Sequence, residues 1–150
     1  KLINEGELSI IPSGFCSFAK KKNIVGKILT VKAIEDNSFV RSSLEQPGKN
    51  RILIVDGAGS HRCALLGGSL GKLAEKNGWQ GVIVYGCIRD AHEIQNCNIG
   101  VWALGTSPRR SNKLGSGEVG KNIDIKGVRI REGDFCIADL DGILISSKEI

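Results

Sequence analysis

Arg89 and Asp90 stand together shortly after residues 81–85 (GVIVY), an unbroken apolar run with the composition of a buried strand. Residues 86–90 read as the loop that follows it, and in an open α/β sheet the carboxyl ends of strands are where ligands bind. Arginine offers a planar fork that matches a carboxylate or a developing enolate oxygen. Aspartate offers oxygens to a hard divalent cation whose shell is completed by water. Side by side, the two could bind a 2-oxo acid, with the cation polarising its carbonyl and the arginine stabilising the negative charge that builds as a C–C bond breaks. The plainer alternatives are a surface ion pair between Arg89 and Asp90, or Asp90 as the N-cap of a short helix.

A second candidate is Gly67-Gly68-Ser69-Leu70, which opens a helix. Unpaired N–H groups and the helix dipole favour a carboxylate or phosphate there, and glycine permits close approach; the plainer alternative is that the two glycines merely shape the loop or let the helix pack on the sheet. Nucleotide motifs fail nearby. Gly57-Ala58-Gly59 has Arg62 where a dinucleotide fingerprint needs its third glycine, and the stretch from Gly67 to Lys72 is one residue short of a phosphate loop, with Leu73 in place of Ser or Thr. His61 and His92 are too separated for a zinc motif, Cys87 with His92 has no orienting third group, and Ser60 lacks the G-x-S-x-G elbow.

The elements that must position these residues are legible in the apolar pattern. Residues 26–34 alternate as a half-buried strand, residues 38–45 have a short helical pattern, and residues 51–56 (RILIVD) form a buried strand. Leu65, Leu66, Leu70, Leu73 and Ala74 recur at helical spacing before the stop signal Asn77-Gly78, which predicts a helix over about residues 69–76. Strand, helix and the strand at 81–85 make a βαβ unit with parallel strands and a right-handed crossover. A short helix over 91–95, a strand over 99–104 and a polar loop over 106–120 follow. Residues 123–130, 134–138 and 142–146 read as short strands of hairpins or meanders, so the class is α/β with a strand-rich, sandwich-like element.

Composition limits the function. The 150 residues suit one domain over 1–150, hydrophobic and charged shares of 41% and 25% are those of a globular chain, and no apolar run approaches the ~20 residues of a membrane span. Five cysteines, odd in number and without a C-x-x-C pair, read as free thiols in a reducing compartment, most simply the cytoplasm. The first residues lack the pattern of a signal segment, so any leader is expected to be absent or removed. The net charge of +5 is dispersed apart from Lys20-Lys21-Lys22 and from Arg109-Arg110 with Lys113, and without aromatic interleaving it argues for an anionic small substrate rather than nucleic acid. Trp79 and Trp102 are expected in the core or at an interface.

Residues 55–94 (VDGAGSHRCALLGGSLGKLAEKNGWQGVIVYGCIRDAHEI) resemble the signature region of the RraA-like family, which includes 4-hydroxy-4-methyl-2-oxoglutarate aldolases and bacterial regulators of ribonuclease E. Residues 26–31 with 35–37, residues 103–108 and residues 138–143 follow the family's order and spacing, and the chain is similar in particular to plant members. The resemblance implies a β/β/α swivelling-type fold, a homotrimer with active sites between subunits, and a class II aldolase dependent on Mg2+ or Mn2+. Such an enzyme splits 4-hydroxy-4-methyl-2-oxoglutarate into two pyruvates and decarboxylates oxaloacetate through the same pyruvate enolate. By motif position, Gly67, Gly68, Ser69 and Leu70 match the substrate-holding segment, Arg89 the substrate-binding and enolate-stabilising arginine, and Asp90 the metal-binding aspartate. The aldolases carry D-x20-R-D, whose first position is Gly68 here, so weakened or retuned activity is expected. The family's first helix is largely missing from the chain as given. The alternative that the resemblance carries is a non-catalytic regulator that binds a ribonuclease E-type partner.

Overall fold

Residues Ile52–Asp56 are buried at every position, a pattern that demands cover on both faces of a strand and neighbours on both edges. The computed structural model describes residues 8–149 and supplies both. In chain order the elements are β1 (Leu8–Ile11), β2 (Cys16–Ser17), β3 (Ile24–Lys32), α1 (Ser38–Leu44), β4 (Ile52–Asp56), β5 (Ala64–Leu66), α2 (Gly68–Lys76), β6 (Gly81–Ile88), α3 (Ala91–Ile94), β7 (Gly100–Thr106), β8 (Glu118–Val119), β9 (Ile123–Ile125), β10 (Val128–Ile130), β11 (Phe135–Ala138) and β12 (Ile143–Ser146). The large sheet runs β1-β12-β11-β3-β4-β6-β7-β2, with β5 on β6 and β8 on β3. Its centre, β3-β4-β6-β7, is parallel, and its outer strands are antiparallel.

Alternation along β4 divides the interior into two cores. Leu53 and Val55 face one that holds Val40 and Leu44 of α1, Leu70 and Ala74 of α2, and Ile94 of α3. Ile52 and Ile54 face another, filled by Ile123, Ile125, Ile130, Cys136, Ala138, Ile143 and Ile145 from β9 to β12. Helices therefore cover one face of the parallel strands and a second β layer covers the other. This is the expected β/β/α arrangement. β3 belongs to both β layers, because Ile24–Lys27 pair with β11 while Ile28–Lys32 pair with β4.

The expected parallel pairing within the βαβ unit is present as β4 beside β6. The strand read as ending at Tyr85 instead continues to Ile88, so residues 86–88 are strand rather than loop. Its extension is held by β5, where Ala64 pairs with Cys87 and Leu66 with Ile88. Leu65 and Leu66, which share the helix's periodicity, thus lie in a strand before it. Both tryptophans are core residues whose indole N–H groups are satisfied, Trp79 by the Gln46 carbonyl and Trp102 by that of Asp139, each at 3.1 Å. All five cysteines are free thiols. Among the described residues no helix is long and apolar enough to cross a membrane.

Candidate active site

The site forms where the end of β6 meets the start of α2. The Arg89 N–H donates to the Leu66 carbonyl at 2.9 Å, which registers the residue after β6 against the last residue of β5. Asp90 then takes a left-handed conformation (φ 57°, ψ 44°) that aspartate tolerates better than most side chains. Its carbonyl accepts from the N–H groups of Glu93 and Ile94 at 2.9 Å each and so starts α3.

The Asp90 carboxylate turns away from that helix. Although Asp90 occupies the N-cap position of α3, its side chain makes no capping bond there, so the N-cap alternative is corrected. Oδ2 accepts instead from the Gly68 N–H at 3.0 Å and from Arg89 Nη1 at 3.2 Å, while Oδ1 has only a marginal 3.5 Å contact with Nη1. The two side chains are 27% and 31% exposed, enough for a ligand to reach both. The ion pair exists, but it faces the start of α2 and also engages the backbone there.

Gly67 precedes α2 in an extended conformation, and a Cβ on it would stand 3.2 Å from Asp90 Oδ2 and 3.3 Å from Arg89 Cζ. Glycine thus lets the pair close onto the backbone. Of the leading N–H groups of α2, that of Gly68 is taken by Asp90, whereas those of Ser69 and Leu70 have no partner among the described residues. A carboxylate fits such a pair of donors.

Glu93 is the residue that inspection of the sequence missed. A Cβ on Gly68 would lie 2.6 Å from Glu93 Oε1 and 3.0 Å from Glu93 Cβ, so the space beside Gly68 is filled from α3. Glu93 Oε1 also meets Lys72 Nζ at 3.3 Å. The available signal was Asp90 followed three residues later by Glu93, the spacing of a capping box at a helix start. Two carboxylates therefore flank Gly68, Asp90 at its N–H and Glu93 beside its Cα. Either carboxylate could offer oxygen to magnesium or manganese, which bind through one or two carboxylates and keep waters. No group of three or more His, Cys, Asp or Glu side chains converges among the described residues, so an all-protein cage is not what the site offers.

Other candidate pairs do not assemble a nucleophile. Cys87 Sγ lies 3.4 Å from His61 Nδ1, not against His92, which instead contacts Gln95 at 3.3 Å. Burial pushes the Cys87 thiol up, away from the thiolate. The Ser60 hydroxyl donates to Glu35 at 3.0 Å, and hydrogen bonds from Arg62 and Ser60 hold that carboxyl below its usual range. A cavity of about 550 Å³, lined in part by Leu29, Phe39, Arg51 and Val119, shares no residue with the strand-end site.

Comparison with known proteins bears on the chain as a whole. The family model RraA-like (Aldolase/RraA) matches residues 4–145. A protein from Burkholderia mallei (strain SAVP1) named "Putative 4-hydroxy-4-methyl-2-oxoglutarate aldolase" is 50% identical over 145 residues, covering 97% of this chain and 88% of that protein. The structure of the RNA-processing inhibitor RraA from Thermus thermophilis superposes with a TM-score of 0.95 at 39% identity, covering 99% of this chain and 92% of that one. A Geobacillus kaustophilus HTA426 structure named as an S-adenosylmethionine: 2-dimethylmenaquinone methyltransferase has the same TM-score at 40% identity, covering 99% of this chain and 94% of that one. Three different activities are named on one fold, so function has to be argued from the site. On the family itself sequence and structure agree throughout: the chain belongs to the RraA-like family.

Proposed function

We propose that the chain is a carbon–carbon lyase, dependent on Mg2+ or Mn2+, that cleaves 4-hydroxy-4-methyl-2-oxoglutarate to two pyruvates and decarboxylates oxaloacetate. The observation that carries this reading is the contact of Asp90 Oδ2 with both Arg89 and the Gly68 N–H, beside the open N–H groups of Ser69 and Leu70. Substrate carboxylate is held by the Ser69 and Leu70 amides at the positive end of α2. Arg89 donates to the 2-oxo oxygen and stabilises its negative charge as the C3–C4 bond breaks. Asp90, with Glu93 beside it, would hold the divalent cation, which would supply Lewis-acid polarisation of the oxo group.

Both reactions balance through one species. In the cleavage, the C4 hydroxyl loses its proton, the C3–C4 electron pair moves into the enolate of one pyruvate, and the second pyruvate leaves as the new ketone. In the decarboxylation, the same electron pair is released as CO2 departs. Protonation at C3 then gives pyruvate in each case. Arg89 serves both because the charge appears on the same oxygen.

The resemblance further supports a homotrimer with sites between subunits, and the free thiols support a cytoplasmic setting. The 39% identity to an RNA-processing inhibitor favours one second reading, a non-catalytic regulator of a ribonuclease E-type partner. Oxaloacetate decarboxylation with and without Mg2+ or Mn2+, in the native chain and in Arg89→Ala, separates the two. Metal-stimulated pyruvate release that Arg89→Ala removes supports the lyase. No turnover with either metal, together with a complex on a ribonuclease E column, supports the regulator.

A further inference from the structure

Basic side chains outside the Arg89–Asp90 pair gather at one place. Arg41 of α1 and Arg110 and Lys113 of the loop after β7 line a narrow cleft together with Gly67, Ser69 and Arg89. The cleft holds about 30 Å³, enough for a carboxylate to enter between these side chains. A polar cavity of about 210 Å³ shares Arg110 with it and adds Arg62 and Arg109. The one carboxylate in either lining is Glu35, and it is engaged by Arg62 at 2.7 Å. Among the described residues, Arg41, Arg110 and Lys113 form no ion pair.

The loop that carries two of these cations is tied down on both sides of the site. The Ala64 N–H donates to the Arg109 carbonyl at 2.8 Å, and Ala64 forms a β-bridge with Arg110. Asn112 exchanges backbone hydrogen bonds with Glu35 and Asn37, at 2.9 and 3.2 Å. The buried Asp36 carboxylate accepts from the Leu114 N–H at 2.7 Å and from the Ser38 N–H at 2.9 Å. Like charges are thus held together by the backbone without a counter-charge of their own. A cleft lined by one sign of charge concentrates an anion of the other.

We propose that Arg41, Arg110 and Lys113 form a second anion subsite that takes the distal carboxylate of a 2-oxo dicarboxylate whose oxo-acid end lies on Arg89 and the start of α2. The proposal rests on the lyase reading of the Arg89 site and adds the residues that select for a second charge. The guanidinium forks of Arg41 and Arg110 orient a carboxylate, and Lys113 adds a point charge. A monocarboxylic oxo acid fills only the first position.

The test is calorimetric titration of the full chain, in magnesium buffer at fixed ionic strength, with pyruvate and with 2-oxoglutarate. These two oxo acids differ in the distal carboxylate. The native chain is expected to bind 2-oxoglutarate at least about tenfold more tightly. The double variant Arg110→Gln, Lys113→Gln is expected to erase that advantage while the pyruvate Kd stays within about twofold. Both side chains are exposed, and Arg41→Gln on α1 gives an independent variant with the same expected direction. Equal affinities in the native chain, or an equal loss for both ligands in the double variant, overturn the subsite; pyruvate binding that Arg89→Ala abolishes then leaves the lyase reading standing. If neither ligand binds the native chain, the lyase reading falls and the subsite falls with it.

Discussion

Asp90 Oδ2 accepts the Gly68 N–H at 3.0 Å, so a carboxylate at the end of β6 is fixed by the first residue of α2. The bond joins two elements of one βαβ unit at the point where its strand ends. It also brings Arg89, paired with the same carboxylate, beside the start of α2.

Replacing Asp90 by asparagine keeps a side chain that tolerates φ 57° and an oxygen that can accept from Gly68, but removes the charge. Metal-stimulated pyruvate release is expected to fall by about 100-fold or more. The thermal midpoint should stay close to the native value. A coupled pyruvate assay beside a melting curve checks both, and native turnover in the variant would exclude Asp90 from the site.

Gly68→Asp restores the family's missing carboxylate in sequence but not in space. Its Cβ would meet Glu93 Oε1 at 2.6 Å, and the new charge would join Asp90 and Glu93. The single substitution is expected to cost about 1 kcal/mol and to leave turnover no higher. Adding Glu93→Ala should return most of that stability. Urea unfolding across the double-mutant cycle reads the coupling, and strictly additive effects would show that the two positions do not compete.

Burial opposes ionisation of Asp36, but the amide and hydroxyl of Ser38 and the amides of Leu114 and Ser116 outweigh it and hold the carboxyl below its ordinary 3.8. Its contribution to stability is therefore complete above about pH 4 and is lost as pH falls through the lower folded-state value. Asp36→Ala strands those donors and is expected to cost about 2 kcal/mol. Limited proteolysis should then cut within residues 107–117 at neutral pH, where the native loop resists. Identical digestion patterns would mean that Asp36 does not hold the loop.

Cys16 is exposed, whereas Cys63, Cys87, Cys97 and Cys136 are buried, and desolvation raises the pKa of each of these four. A thiol reagent at pH 7.5 should modify one cysteine per native chain within minutes and all five in urea. Mass spectrometry gives the count directly. Rapid modification of Cys136 in the native protein would contradict the packing of the second β layer.

The apolar pattern of the chain was sufficient for β4, the first part of β6, α2 and the helix at 91–94, because their periodicity depends on neighbours a few residues away. The Arg89–Asp90 pair and the Gly67–Leu70 turn were legible for a related reason: each is a short run of residue types at the end of a recognisable element. Contacts between distant segments were not. β5 is three residues long and exists as a strand only because the end of β6 offers it a partner. Asp36 grips Leu114 across 78 positions, which turns a stretch rich in Ser, Gly, Lys and Arg into an anchored loop and brings Arg110 and Lys113 to Arg41. Glu93 reaches Gly68 from another helix, filling a space that a linear motif could only show as a missing aspartate. Secondary structure follows from local sterics and burial, whereas the composition of the site follows from which strand ends the topology places side by side.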